Sequence, residues 1–197
     1  MSHFAVEMKN IEKNFEIVRA VTDASFNLVK GEIHSLIGEN GAGKSTMMKL
    51  LYGMYPIDKG EIWIDGKKMP PLTPKIAIGE GIGMVHQEFM LVKELTVLEN
   101  VILGFEPTKG AFIDFAEARK SIEKYIHEYH MDVQMNKRID QISVGEAQRV
   151  EIIKTLSRGA NTIILDEPTG VLTPQEARKL FEILLSLKES GKSVIFI

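Results

Sequence analysis

The residues with the clearest chemical meaning lie in the stretch GENGAGKST, residues 38–46. Gly38 is separated by four residues from Gly43, Lys44 and Ser45, which is the spacing of a loop that binds phosphate groups. Small residues in the middle of the loop would let backbone N–H groups surround a β-phosphate, and a helix beginning near Lys44 would add its positive dipole end. Lys44 is predicted to contact the β- and γ-phosphate oxygens, and the Ser45 hydroxyl to bind Mg²⁺.

The context of the loop argues against a chance match in a glycine-rich turn. The stretch EIHSLI before it predicts a strand and KSTMMKLLYGM after it predicts a helix, as such a loop requires. A flavin or NAD site would instead need G-x-G-x-x-G, so the lysine and serine indicate a nucleoside triphosphate. The loop residues predicted to contact the nucleotide are Gly38, Asn40, Gly41, Ala42, Gly43, Lys44, Ser45 and Thr46.

A second candidate group ends the apolar run TIILDEP, residues 162–168. A carboxylate at the carboxyl end of a parallel strand lies where such sheets bind ligands. Asp166 is predicted to help hold Mg²⁺. Glu167 is predicted to polarise the water that attacks the γ-phosphate, help that typically contributes about 10²–10⁴-fold. The alternative is that both acids only end a strand before Pro168, but their pairing with the phosphate loop favours the functional role.

A third candidate is the stretch ISVGEAQRV, residues 142–150. Ser143 and Glu146 have the S-x-x-E spacing of a capping box, which would by itself explain both residues. Capping does not explain Gly145, because glycine inside a first turn costs about 1 kcal/mol relative to alanine. A glycine there permits close approach to the helix N-terminus, and an anion is the expected visitor. Ser143 is therefore either a cap alone or a cap that also serves a phosphate.

The composition bounds the class of protein that carries these groups. The 197 residues include 24 basic and 27 acidic side chains, a balance without the strongly basic face that nucleic-acid binding needs. There is no cysteine, so neither disulfides nor thiolate chemistry are available. The N-terminal stretch MSHFAVEMKNIEKNF lacks the apolar core of a signal peptide, and no apolar run approaches the ~20 residues that span a bilayer.

The elements that must position these groups follow from the apolar periodicity. The first part reads as several short strands, with a tight turn at Asp65–Gly66 and a helix that stops near Gly53. From about Gln87 to Gly159 the pattern is helical, and the final KSVIFI predicts a buried strand. Cap-and-acid pairs predict three helix starts, at Thr96 and Glu99, Asp114 and Glu117, and Thr173 and Glu176. We expect an α/β fold with a parallel sheet, helices packed over it and an inserted helical lobe.

Together these motifs resemble those of the ATPase domains of ABC transporters. ISVGEAQRVEI resembles the signature motif of that family, and the phosphate loop upstream and LDEPT downstream stand in the family's order. Gln87 resembles the Q-loop residue, which implies roles in catalysis and in binding Mg²⁺, and Phe15 stands where an aromatic usually stacks on adenine. The resemblance implies two ATP molecules sandwiched between two ATP-binding domains arranged head to tail. Ser143 and Gly145 would then face the γ-phosphate bound by the opposite domain.

The resemblance also implies an architecture for the chain. It is a P-loop NTPase (RecA-like) core with an N-terminal antiparallel β subdomain and an inserted helical subdomain. We expect residues 1–86 and 160–197 to form the core and β subdomain, and 87–159 the helical subdomain. In the family, a switch histidine follows a strand like SVIFI and the domain continues beyond it. The chain to Ile197 is therefore expected to be one C-terminally incomplete ATP-binding domain.

The signature and the segment after LDEP depart from the family pattern at four positions. Val144 and Glu146 stand where many members carry glycine and glutamine, and resemble variants seen in sugar- and nucleoside-importer ATPases. Ala147 stands where a glutamine is common, which predicts a weakened contact. Thr173 replaces the aspartate that usually ends the D-loop, which puts communication across the dimer in question.

The function implied is an ATPase that powers import of a nucleoside or simple sugar. It would bind to integral membrane permease subunits at the cytoplasmic face of the membrane, served indirectly by a periplasmic or lipoprotein substrate-binding protein, without nucleic acid. The isolated fragment is expected to bind MgATP but hydrolyse it poorly. One alternative is a soluble ABC ATPase acting on ribosomes or DNA, for which no basic extension is visible. A P-loop kinase is another, and it leaves SVGEAQR unexplained.

Overall fold

The structure is a computed structural model that describes residues 3–197. Its strands are β1 (Phe4–Phe15), β2 (Val18–Val29), β3 (Ile33–Ser35), β4 (Lys59–Ile64), β5 (Lys67–Lys68), β6 (Ile82–Val85), β7 (Thr108–Lys109), β8 (Phe112–Ile113), β9 (Thr162–Leu165) and β10 (Ser193–Phe196). Its helices are α1 (Lys44–Leu51), α2 (Pro74–Gly79), α3 (Val97–Ile102), α4 (Phe115–Glu128), α5 (Val144–Ser157) and α6 (Pro174–Glu189). A 3₁₀ turn at Ile139–Gln141 precedes α5. The α/β class predicted from the sequence is confirmed.

The N-terminal strands form an antiparallel sheet in the order β2-β1-β4-β5. Its inner face is apolar because Val6 and Met8, two residues apart on β1, both point into the core. The prediction of several short strands is wrong for β1 and β2, which have 12 residues each. Register shifts between these two strands interrupt the alternation from which strand length is judged. The predicted turn at Asp65–Gly66 does join β4 to β5, with φ of 51° and 79°.

A second sheet has the order β3-β10-β9-β6, and all its pairs are parallel. β6 and β9 are buried along their whole length, as expected for a sheet covered on both faces. The strand predicted from EIHSLI is shorter than that pattern suggests, since only Ile33–Ser35 is regular. Because parallel strands point the same way, the segments after β3, β6 and β9 emerge at one edge of the sheet. The phosphate loop and the acidic turn therefore lie on the same side.

Two apolar cores pack against the opposite faces of this parallel sheet. On β9, Ile163 and Leu165 face a core shared with α3, α4, α5 and α6. Ile164 faces the other core, which is shared with α1 and the antiparallel sheet. Because alternate side chains of β9 enter different cores, this strand packs against both the helical part of the chain and the N-terminal sheet.

Helices α3, α4, α5 and α6 begin close to where the sequence predicts and α1 ends near the predicted stop at Gly53, but α2 was not predicted. Thr96 and Glu99 form a complete capping box on α3, and the Asp114 side chain accepts the Glu117 N–H at the start of α4. α5 is buried over most of its length because it packs against α3, α4 and β6. The hairpin β7–β8 was not predicted, since strands of two residues give no readable alternation. Within residues 3–197, no helix combines the length and apolar character needed to cross a bilayer.

The Asn100 side chain should be a strong local determinant of stability, because it is fully buried. Its Oδ1 accepts the Val92 N–H at 2.7 Å, and its Nδ2 donates to the carbonyls of Val92 and Thr96 at 3.0 Å. Asn100→Ala should lower the free energy of unfolding by about 2–4 kcal/mol, since each buried polar group left unpaired costs about 1–3 kcal/mol. Asn136→Ala, at an exposed position, should change it by less than about 0.5 kcal/mol in the same urea titration. Similar losses in the two variants would contradict this assignment.

Candidate functional site

The loop between β3 and α1 has the backbone of an anion site. Gly43 is the N-cap of α1 with a φ of 84°, and a Cβ there would lie 2.5 Å from the carbonyl oxygen of Ala20. Glycine is therefore required both by the left-handed conformation and by the close approach of β2. In the part of the chain that the structure describes, no side chain caps α1. The N–H groups of its first turn are thus available to an anion, where the helix dipole also favours negative charge.

The Lys44 ammonium hydrogen-bonds to the backbone of its own loop. Its Nζ donates to the carbonyl oxygens of Gly38 at 2.7 Å and Glu39 at 2.8 Å. These hydrogen bonds hold the positive charge over the loop, where phosphate oxygens could replace the carbonyls as acceptors. A groove of about 380 Å³ runs along the loop. Of the predicted site residues it brings together Phe15, Asn40, Gly41, Ala42, Gly43, Lys44, Ser45, Thr46 and Glu167.

Two of the three predicted Mg²⁺ ligands, Ser45 and Asp166, come from distant parts of the chain and meet beside this groove. The Ser45 hydroxyl donates to Asp166 Oδ1 at 2.8 Å, and Asp166, directly after β9, is only 4% exposed. Oxygen ligands of this kind suit Mg²⁺, which in such sites takes one or two side chains and completes its shell with water and substrate phosphates. Residues 3–197 contain no cluster of three or more His, Cys, Asp or Glu side chains able to hold a metal.

The predicted catalytic pair also meets at the edge of the sheet. Gln87 Nε2 donates to Glu167 Oε2 at 2.9 Å, and both side chains are exposed. Glu167 has a left-handed backbone with φ of 48°, which is unusual for a residue with a side chain and frequent at functional sites. Since Glu167 lines the groove and Gln87 holds its carboxylate, the pair can orient a water at the end of a bound phosphate chain.

His86 borders the same edge. It stands one residue after the end of β6, half-buried, with its ring 5.8 Å from that of Tyr52. Burial lowers the pKa of His86, and the nearby Asp166 only partly opposes this. The imidazole is therefore neutral at pH 7 and adds no positive charge beside the phosphate loop.

The start of α5 carries both a capping box and a nearby anion, and that anion comes from the same chain. Ser143 and Glu146 form the predicted capping box. The anion at this helix tip is the carboxylate of Glu176, whose Oε1 accepts the Ser143 hydroxyl and the Gly145 N–H, both at 3.2 Å. A Cβ on Gly145 would lie 2.6 Å from the same oxygen, so the glycine makes room for this carboxylate.

Glu176 was predicted only as the capping acid of α6, and that role is also present. Its Oε2 accepts the N–H and the hydroxyl of Thr173. Hydrogen bonds from Thr173, and more weakly from Gly145 and Ser143, lower the pKa of Glu176, so this carboxylate is charged at neutral pH. A spacing of 31 residues separates Gly145 from Glu176. Sequence pattern alone therefore gives no signal for the second role.

Gln148 is a further residue whose role the sequence did not indicate. It is 2% exposed, and its Nε2 donates to the carbonyl of Pro168 at 2.8 Å. α5 is thereby tied to the turn that follows Glu167. Within the described part of the chain, however, no hydrogen bond joins residues 143–145 to the phosphate loop 38–46.

A phosphate loop between strand and helix, facing an acid at the end of a neighbouring parallel strand, defines a P-loop nucleotide-binding domain. The solved structures agree. The fold matches the ADP conformation of MJ1267, an ATP-binding cassette of an ABC transporter, with a TM-score of 0.85 and 26% identity over 100% of this chain and 81% of that one. It matches the dimeric structure of MJ0796, a bacterial ABC transporter cassette, with a TM-score of 0.80 and 30% identity over 97% of this chain and 87% of that one.

The sequence profile of the ABC transporter family matches residues 21–170, and the chain belongs to this family. It is 46% identical to the guanosine import ATP-binding protein NupO of Bacillus subtilis and 47% identical to the nucleoside import ATP-binding protein NupA of Lactococcus lactis, each over 98% of this chain. It is 43% identical to the xylose import ATP-binding protein XylG of Thermoanaerobacter pseudethanolicus over 100% of this chain. The chain spans 38–39% of the length of these relatives.

The phosphate loop makes a direct prediction about ligand-dependent stability. MgATP at about 100 times its Kd should stabilise the chain by about 2.7 kcal/mol, because it binds only the folded state. Lys44→Ala should remove most of that thermal shift by deleting the charge that faces the phosphates. Lys30→Ala, which removes an exposed ion pair with Asp65, should retain the full shift in the same scanning fluorimetry experiment. An unchanged shift in Lys44→Ala would contradict the site assignment.

Proposed function

We propose that this chain is the ATP-binding and ATP-hydrolysing part of a subunit that powers import of a nucleoside or simple sugar through a membrane permease. The observation that carries the proposal is the convergence of two long-range hydrogen bonds, Ser45 to Asp166 and Gln87 to Glu167, beside one phosphate loop. The substrate class is supported by the similar chains, which are named for import of guanosine, nucleosides and xylose.

Each group in this arrangement has a distinct task in hydrolysis. The loop N–H groups and the Lys44 ammonium hold the triphosphate and stabilise charge that develops on its oxygens. Ser45 and Asp166 would hold Mg²⁺, which neutralises phosphate charge when bound. Glu167, steadied by Gln87, orients a water whose oxygen forms a bond to the γ-phosphorus while the bond to the β,γ-bridging oxygen breaks. The proton of that water passes to Glu167.

The proposal requires a second ATP-binding domain, either another copy or a tandem half. Within residues 3–197, Ser143 and Gly145 hydrogen-bond to Glu176 and not to the phosphate loop, and the proposal assigns them to the pocket of a neighbour arranged head to tail. A solved cassette of similar fold, that of MJ0796, is dimeric, which supports the need for a second domain. The isolated chain would then bind MgATP but hydrolyse it slowly, because each pocket lacks the tip of the opposite α5.

The remaining parts of the proposal concern where the subunit acts. We place it at the cytoplasmic face of the membrane, bound to integral permease subunits and served indirectly by a periplasmic or lipoprotein substrate-binding protein. We divide the chain into a core with its β subdomain, 1–86 and 160–197, and a helical subdomain, 87–159, that contacts the permease. Steady-state release of inorganic phosphate from MgATP tests the catalytic part. A phosphorylated small-molecule product without free phosphate would contradict it.

In a full-length context, Glu167→Gln should separate nucleotide binding from turnover. The amide keeps the size of the side chain but cannot accept the proton of the water, so phosphate release should fall by about 10²–10⁴-fold. An ATP-bound dimer should then accumulate, measured by light scattering with MgATP. The exposed Glu123→Gln on α4 should match the unchanged chain in both assays. Full turnover by Glu167→Gln, or monomers only, would count against the mechanism.

Glu176→Gln should favour the ATP-bound dimer for a different reason. The carboxylate occupies the tip of α5 that a neighbour's γ-phosphate would need, and two anions there would repel each other. Removing its charge should raise the dimer fraction at a given MgATP concentration, while glutamine can still complete the α6 capping box. Glu189→Gln, exposed at the far end of α6, is the matched control. A lower dimer fraction for Glu176→Gln than for the control would show that the carboxylate helps the interface.

A further inference from the structure

The loop from α1 to β4 is fastened to the end of β1 by one carboxylate. Asp58 Oδ1 accepts from Lys13 Nζ at 2.7 Å, and Asp58 Oδ2 accepts from the Asn14 N–H at 2.7 Å. The Asp58 N–H in turn donates to the Glu12 carbonyl at 2.9 Å. Lys13 is only 8% exposed, so its ammonium depends on this partner. Asp58 is thus bonded to Asn14, the residue before Phe15, and Phe15 lies at the rim of the nucleotide groove.

The Phe15 ring is itself contacted from this loop. The Tyr55 ring meets it edge to face, with centroids 5.0 Å apart and planes at 79°. Lys13 Nζ lies over the Phe15 ring, 5.4 Å from its centroid, a distance at which a cation is attracted to the ring. Two groups are thus arranged around a ring that also lines the groove, and one of them is the cation that Asp58 holds.

Core packing does not account for this cluster. Neither Phe15 nor Tyr55 belongs to either buried apolar core in residues 3–197. Tyr55 is 41% exposed, and Ile17, two residues after Phe15, is 96% exposed. An aromatic ring held at the surface by an ion pair and a second ring is fixed for contact with something flat and apolar.

We propose that Tyr55 and Asp58 are positioning residues that give the nucleotide groove its preference for a ligand with an aromatic base. Tyr55 fixes the tilt of Phe15, and Asp58 fixes Lys13 over the ring, so that Phe15 is already placed when the base stacks on it. This inference rests on the proposed function, since it takes the occupant of the groove to be a purine nucleoside triphosphate. It adds the loop between α1 and β4 to the residues that determine which triphosphate binds.

The test compares ATP with inorganic tripolyphosphate, both with Mg²⁺, by calorimetry on the 197-residue chain. Loss of a whole base–aromatic stack weakens binding by roughly 5- to 150-fold. Tyr55→Ala or Asp58→Asn would leave Phe15 less well oriented and should remove part of the affinity that stacking contributes, raising the Kd for ATP about fivefold. The Kd for tripolyphosphate should stay within about twofold, because the phosphate loop is untouched. Tyr55→Phe keeps the ring and should restore ATP binding.

Lys59→Ala is the matched control, because Lys59 borders the same loop but its partner is Glu12 in an exposed ion pair. It should bind both ligands like the unchanged chain. Equal losses of ATP and tripolyphosphate binding in Tyr55→Ala and Asp58→Asn, or no loss of either, would overturn the inference while leaving the proposed function standing. Failure of the unchanged chain to bind ATP or tripolyphosphate would overturn both.

Discussion

The parallel register of the central sheet is the constraint on which the site depends. Ser35 pairs with Phe196, Phe196 with Leu165, and Leu165 with Val85, so the strands end in one row. The chain segments that follow β3, β9 and β6 leave that row together. Because successive residues point to opposite faces, a slip of one residue in β9 would turn Asp166 away from Ser45. The hydrogen bonds that assemble the site are consequences of this register, which the two apolar cores fix by burying opposite faces of β9.

The conformation of the phosphate loop is also fixed by contacts within the chain. The left-handed Gly43 is set by the close approach of Ala20, and the Lys44 ammonium is held by two carbonyls of its own loop. A ligand that only replaces these two acceptors does not have to order the lysine from solvent. Pre-organisation of this kind reduces the conformational cost of binding.

Local sequence signals predicted what local interactions determine. The phosphate-loop spacing and the capping pairs at Thr96, Ser143 and Thr173 were readable because each involves residues within one or two helical turns. Glu176 illustrates the limit: its capping role was readable, but its contact with Gly145 depends on where α6 packs relative to α5. The pairing of Asp58 with Lys13 across 45 residues could not be predicted for the same reason. The anion beside Gly145 is the carboxylate of Glu176, and the spacing of the motif gave no signal of that partner.

Helix α5 contacts two parts of the site, the Glu176 carboxylate at its N-terminus and the segment after Gln87 near its C-terminus. Its N-terminus carries Ser143 and Gly145, and near its C-terminus Lys154 Nζ donates to the carbonyl of Met90, three residues after Gln87. Lys154 Nζ lies 3.7 Å from Glu151 Oε2, with the two side chains 11% and 7% exposed, and burial lowers the pKa of Lys154 while the Glu151 charge opposes this. Breaking such a buried contact without replacing it would be costly. α5, a single helix from Val144 to Ser157, therefore joins the Glu176 contact at its tip to the segment after Gln87.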